Sequence, residues 1–584
     1  MTRAATLLIL LSLAALRTHA QQTDSVAERR VTVSGSVESE WLIPMNDEAI
    51  GFTVGDNKVM TNTYADVTLS SKWVDAGARF EFLRYPLPGF ESGFKGWGLP
   101  NVWVKGKFNR VEITAGNFYE QFGSGFILRT YEERSLGHDN SLLGGRIVYR
   151  PVDGVTLKAL AGAQRRYWHY NRALIGGADA EVSLDQWAKA LSAHDAHLTL
   201  GVSWVGKHEG DDVIMTDAAH RLNLPRWTHA VDLRAQWQQR GVNVLFEWAH
   251  KSQDPSWDNG YTYAPGNVVM LSASYSKPGL SLLVQAKRSE NMSWRSERTM
   301  SGLSSMINHL PAFTMEHTYD LPSFYPYATR PQGEWAYQAE ASYTFKKKTA
   351  LGGRYGTTLR VNFSHIHSLS NVDESRVAGT DGPASSFWKW GKTVYYQDFN
   401  VSLEKKLSSK VRLTLLYINQ RYNMTAIEGE GGMVRANTIV ADCTYKISPK
   451  VILRGEAQYL FTKQDDGDWA YGLLELSLPP HWMITVADEW NCGGSKLHFY
   501  EVLLAYSAGA HRIQGGFNGF MVIKCRKRHY FDLRVLFFDD PGRFKTGKYR
   551  HLHIHQNNVR RIVVTCFHGF FSVHAHCDHF KLFP

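Results

Sequence analysis

The feature that most constrains this chain is a recurring unit: an alternating run, a tight turn, a second alternating run, then a longer polar loop. Between Trp227 and His250, Val231, Leu233, Ala235 and Trp237 alternate with Asp232, Arg234 and Gln236. Gln239-Arg240-Gly241 turns the chain, and Val242, Val244, Phe246 and Trp248 resume the pattern. A period of two puts one set of side chains on each face of a sheet, so this stretch predicts a β-hairpin. The unit returns around Pro151-Val152-Asp153-Gly154, Ser276-Lys277-Pro278-Gly279, Lys405 to Lys410, Ile447-Ser448-Pro449-Lys450 and Leu478-Pro479-Pro480-His481. Pro and Gly supply the fixed or positive φ that tight turns need and strand interiors tolerate poorly.

Longer segments separate the hairpins, at about residues 84–99, 119–141, 207–226, 252–266, 289–333, 368–392 and 421–434. Short connections at one end and long ones at the other predict a large antiparallel transmembrane β-barrel with short periplasmic turns and long extracellular loops. The alternating segments from Val31 to Phe520 correspond to about 22 to 24 strands. After residue 20 no apolar run approaches the length of a membrane-crossing helix. Barrel strands average lipid-facing apolar and lumen-facing polar residues, which agrees with the mean hydropathy of −0.31. Aromatic residues are 13% of the chain, and Trp204, Trp248, Tyr417 and Trp490 fall near predicted strand ends, where a membrane girdle or ordinary strand preference would place them.

At the N-terminus, Arg3, the apolar run Ala4 to Leu16 and Thr18-His19-Ala20 predict a secretory signal over residues 1–20, with residues 21–30 a short periplasmic lead. The barrel is assigned to 31–520. With the first strand at Val31, no separate plug domain is expected, which argues against a siderophore-type importer. The net charge of +10 suits a polyanion binder until it is mapped. Residues 521–584 hold 12 Lys and Arg against 4 Asp and Glu, a net +8, leaving +2 for residues 1–520. A nearly neutral body gives no basis for nucleic-acid binding. This divergent, basic, His-rich tail does not alternate well, although Tyr530 to Phe538 or Ile562 to Val573 could provide a final strand. Its His551, His553 and His555 are weak metal candidates that match no standard module, and no cofactor is expected.

The densest motif runs from Gly116 through Phe118-Tyr119-Glu120-Gln121-Phe122-Gly123-Ser124-Gly125 to Arg129 and Glu132-Glu133-Arg134, ending near Arg146. On this stretch, with a weaker match at Ile175 to Glu181, most of residues 30–515 resembles an uncharacterised outer-membrane β-barrel family, a domain of unknown function, of Bacteroidota-type bacteria. The resemblance implies fold and location, and no function. Glu120, Arg129, Glu132, Glu133, Arg134 and Arg146 are the candidate site, a charged network on an inward loop. Such charges either line a constriction and confer selectivity, or satisfy one another and plug the lumen. Gly123-Ser124-Gly125 lacks the Lys of a phosphate loop and the strand-to-helix setting of a nucleophile elbow. His138-Asp139-Asn140-Ser141 reads as an exposed polar loop rather than a triad. No enzyme is therefore expected. A passive or partly plugged pore for small solutes, or a structural barrel docking envelope proteins, embedded in outer-membrane lipid, is the expected role.

Overall fold

The computed structural model describes residues 31–46, 53–55, 59–216, 218–301 and 305–518, together with the backbone of His529–Leu536 and Phe571–Phe580. The expected signal segment and His551, His553 and His555 lie outside the described residues. The chain opens with β1 (Val31–Met45), β2 (Met60–Ser71), β3 (Val74–Tyr85), β4 (Gly96–Phe108) and β5 (Val111–Phe118). A separate small ribbon of β6 (Glu132–Glu133) and β7 (His138–Asp139) precedes β8 (Leu142–Tyr149). Next come β9 (Val155–Arg166), β10 (His169–Ser183), β11 (Ala196–His208), β12 (Trp227–Gln239), β13 (Val242–Lys251), β14 (Gly266–Lys277), β15 (Leu280–Glu290) and β16 (Gly333–Phe345). The series continues with β17 (Thr357–Leu369), β18 (Trp390–Lys406), β19 (Val411–Asn423), β20 (Met433–Ser448) and β21 (Val451–Phe461). It ends with β22 (Trp469–Leu478), β23 (Trp482–Asn491), β24 (His498–Ala508) and β25 (His511–Asn518).

Apart from the ribbon, the strands through β25 form one antiparallel sheet of 23 strands, each bonded to the next along the chain. Local chemistry accounts for the hairpins. Arg240 and Gly241 take φ of 46° and 85°, joining β12 to β13 in two residues where the alternation breaks. Most connections sort by length as the sequence predicts, with three departures. The β9 to β10 turn, Tyr167-Trp168, is short on the long-loop side, while residues 184–195 and 346–356 lengthen two connections on the other. Beyond residue 520, β26 (His529–Leu536) pairs with β25 and with Ser39–Met45 of β1, and β27 (Phe571–Phe580) pairs with the Val33–Glu38 part of β1. β26 overlaps the Tyr530–Phe538 stretch, and β27 shares only residues 571–573 with Ile562–Val573.

The two faces of the sheet differ in polarity in the sense opposite to a water-soluble sandwich. Leu271, Leu282, Val284, Leu474 and Val502 are exposed on one face, Val284 by 61%. The other face buries Arg79, Glu81, Asp232, Glu247, Lys287 and Asp398. Burying charge is expensive unless each charge meets a partner, so that inner face has to be read as a network.

Candidate functional site

Two of the long connections, residues 119–141 and the described parts of the second, 291–301 and 305–332, turn onto the polar face and pack there together. Arg129 N donates to Ile307 O (2.8 Å) and His309 N to Gly125 O (2.9 Å). Asn308 Nδ2 donates to Phe126 O (2.8 Å) and Met292 O (2.7 Å), and Asn140 Nδ2 to Met306 O (3.0 Å). Around these bonds Phe122, Phe126, Ile127 and Leu128 pack with Trp294 and Ile307, and with Ile175, Val205 and Val268 of the sheet. The apolar Phe126-Ile127-Leu128 triplet breaks the polar character of a loop because it faces this core.

Strand side chains hold both segments. Glu247 of β13 accepts from Ser124 N (2.8 Å) and from Ser124 Oγ. Gly123 lies at φ +51°, and an added Cβ would be strained there and would push the Glu247 carboxylate aside, so glycine favours this approach. For the second segment, Lys287 of β15 donates to Pro311 O (2.6 Å) and Thr329 Oγ1 (2.8 Å) and pairs with Glu334 (3.1 Å). Glu209 accepts from Arg298 N (3.0 Å) while pairing with Lys207 (2.7 Å).

The six residues singled out in the sequence divide among separate environments. Glu132 and Arg134 pair with each other (2.6 Å) and reach the sheet: Arg134 to Glu38 (3.0 Å) and Asp66 (2.8 Å), Glu132 to Arg79 (2.7 Å). Arg79 also pairs with Asp66 (2.8 Å). Nearby, Arg165 binds Glu81 (2.7 Å) and Asp139 (2.5 Å), so guanidinium and carboxylate alternate throughout. Glu120 and Arg146 pair in a second network, where Lys158 approaches Glu120 (3.2 Å) and Arg234 binds Asp179 (2.5 Å) and Asp232 (3.1 Å). The structure brings neither Glu133 nor Arg129 into these carboxylate–guanidinium networks. Glu133 is exposed and accepts from Ser135 Oγ (2.6 Å), whereas Arg129 lies over the Tyr131 ring at 4.7 Å.

The expected exposed loop at His138-Asp139-Asn140-Ser141 is corrected: His138, Asn140 and Ser141 are buried, because the segment folds inward. Burial pushes the His138 imidazole down to about 4, against the pull of Asp139 and helped by Arg129. His309 falls to about 3 through burial and then through Arg129 and Lys287. Burial also holds Glu132 above the usual carboxylate range although Arg134 and Arg79 pull it down. For Asp139 burial acts upward, but Arg165 and the Ser141 amide outweigh it and keep the carboxyl below its ordinary range. Sequence reasoning missed Arg79, Glu81, Asp139 and Arg165 as partners, though Arg79 and Glu81 share one face of β3 at a spacing of two.

A family model described as a family of unknown function (DUF6029) matches residues 1–518. The chain belongs to the DUF6029 family. The DUF6029 match ends with β25, ahead of the basic tail. No curated protein matches the sequence. Among solved structures the chain is similar to OccK3 (OpdO) of Pseudomonas aeruginosa at 10% identity and TM-score 0.36, covering 78% of this chain and 96% of that one. It is similar to OpdK of the same organism at 11% identity and TM-score 0.37, covering 79% and 99%. A third similarity is to the P pilus usher PapC translocation pore, at 9% identity and TM-score 0.38, covering 86% and 97%.

Proposed function

We propose that the sheet closes into an outer-membrane β-barrel whose lumen is occupied by residues 119–141 and 291–332, making it a plugged pore for small solutes rather than an enzyme. The observation that carries this reading is the inverted polarity: a continuous exposed apolar face backed by charges that are buried and paired. Water penalises such a face, whereas lipid requires it and requires every strand edge to be paired. The pairings of β26 with both β1 and β25 support closure, with β27 completing the lower part of β1. The plug is anchored by side-chain bonds and ion pairs rather than by covalent links, so its displacement would open a path lined by Ser272, Gln285 and Gln338, which bond to one another.

Planar-bilayer recording of the purified full chain tests this. The proposal expects low basal conductance and discrete openings that become more frequent in Arg134→Ala, which frees Glu132, Glu38 and Asp66 from their shared partner. Silence in both proteins, with the chain inserted in the membrane, would refute the pore and leave a docking role.

A further inference from the structure

The loop between β17 and β18, residues 370–389, first packs on other long-side loops, where Arg376 meets Asn291 and Gly379 and Thr380 bond Tyr261 and Tyr263, and its Ser385 and Phe387 then reach the outer face of the sheet. Its inner edge covers an arginine that stands on the apolar face. Arg288 leaves β15 on the same side as Leu282 and Val284, since Lys287 beside it points inward. It pairs in register with Val269 and Trp335, and Val269 pairs with Trp248, so the guanidinium lies in a row of outward side chains near the long-loop rim. Even so, Arg288 is buried. It donates to Glu290 (2.9 Å) and Ser385 Oγ, and lies 4.8 Å from the Phe387 ring. Further along, Trp390 packs on Tyr337 (5.7 Å) and His367 (4.3 Å) of β16 and β17.

Between these two anchored points the loop carries Trp388, which is 81% exposed, and the exposed Lys389, followed by Trp390 and Lys392. An indole is most stable where its ring is half desolvated and its N–H stays wet, and an ammonium beside it matches the phosphate of a lipid headgroup. Continuity with the apolar wall and this local positive charge select a lipid interface as the partner.

We infer that residues 385–392 form a lipid-interface clamp. Trp388 and Trp390 enter the headgroup layer on the long-loop side, Lys389 and Lys392 meet lipid phosphate, and the same fold keeps Arg288 away from acyl chains. The inference rests on the membrane reading above. Its test is fluorescence of the full chain in vesicles of phosphatidylethanolamine and phosphatidylglycerol with brominated acyl chains, compared with Trp388→Phe. The exposed position makes this substitution harmless to folding. The emission lost in the variant is expected to be blue-shifted, quenched by bromolipid, insensitive to iodide, and more strongly quenched as the phosphatidylglycerol fraction rises. Iodide quenching of that component, or quenching by neither agent, would overturn the clamp. Emission from the remaining tryptophans separates the two failures: if bromolipid quenches it, only the clamp is wrong, and if not, the membrane reading fails.

Discussion

Arg165 shows how much a single side chain settles in this interior. It is shared between Glu81 and Asp139, and all three side chains are buried. Replacing it with Met leaves two buried carboxylates with only the longer contacts of Arg79, 3.8 Å to Glu81 and 3.5 Å to Asp139, which costs about 3 kcal/mol. Thermal unfolding in detergent should show a large fall in midpoint. Arg150→Met removes the pair with Glu112 at 2.8 Å, but that arginine is half exposed, and the expected change is about 1 kcal/mol or less. Equal effects of the two substitutions would contradict the difference in burial between the two pairs. Gly123→Ala combines a left-handed backbone position with a clash against Glu247, and should loosen the first segment by about 1 kcal/mol or more. Limited proteolysis within residues 119–141 reads that loosening.

Asparagines tie the two inward segments, the proposed plug, to each other. Asn308 bonds Phe126 O, Met292 O and Trp294 N, and Asn140 bonds Arg129 O, Met306 O and Tyr131 N. Double replacement by Ala removes these bonds at about 2 kcal/mol or more for each side chain. More frequent channel openings are expected, and an unchanged opening rate would show that the segments do not gate. Acid acts on the same element. His138 and His309 titrate near 6.5 when released but near 4 and 3 in place, so the released plug binds more protons over that interval. The stabilisation they provide is complete above about 6.5 and is lost as pH falls toward their folded values. Asp139 loses stabilisation in the same direction, and Glu132, raised in place, opposes it. Openings should increase from pH 7 to pH 4, and a decrease would contradict the burial of these imidazoles.

The hairpins were legible because a period of two and a Pro or Gly turn are properties of adjacent residues. Val231 to Trp237 and Val242 to Trp248 fall in β12 and β13, joined at Arg240-Gly241 as the sequence predicts. The interior was legible only in part. Arg134 stood out in its motif, yet its partners Glu38 and Asp66 come from β1 and β2, and no local pattern states that an inward loop will reach them. The same blindness made His138 to Ser141 look solvated, since their short polar side chains are equally suited to a surface loop and to bonds inside a lumen.

For the whole molecule, the proposed barrel requires that the exposed apolar face meet lipid. The tail bears on closure through β26 and β27, and removing residues 521–584 should prevent heat-resistant folding in detergent if those strands seal β1 to β25. An unchanged folded band on a gel would mean that β25 and β1 close without them. The most direct test of the central claim is a spin-label scan along β14 in liposomes, with the native cysteines replaced by Ser. Labels at Val269, Leu271 and Ala273 should collide with oxygen dissolved in lipid, and those at Val268, Met270 and Ser272 should be shielded from it, giving a period of two. Equal accessibility at the two sets, or contact of the first set with a water-soluble nickel complex, would contradict it.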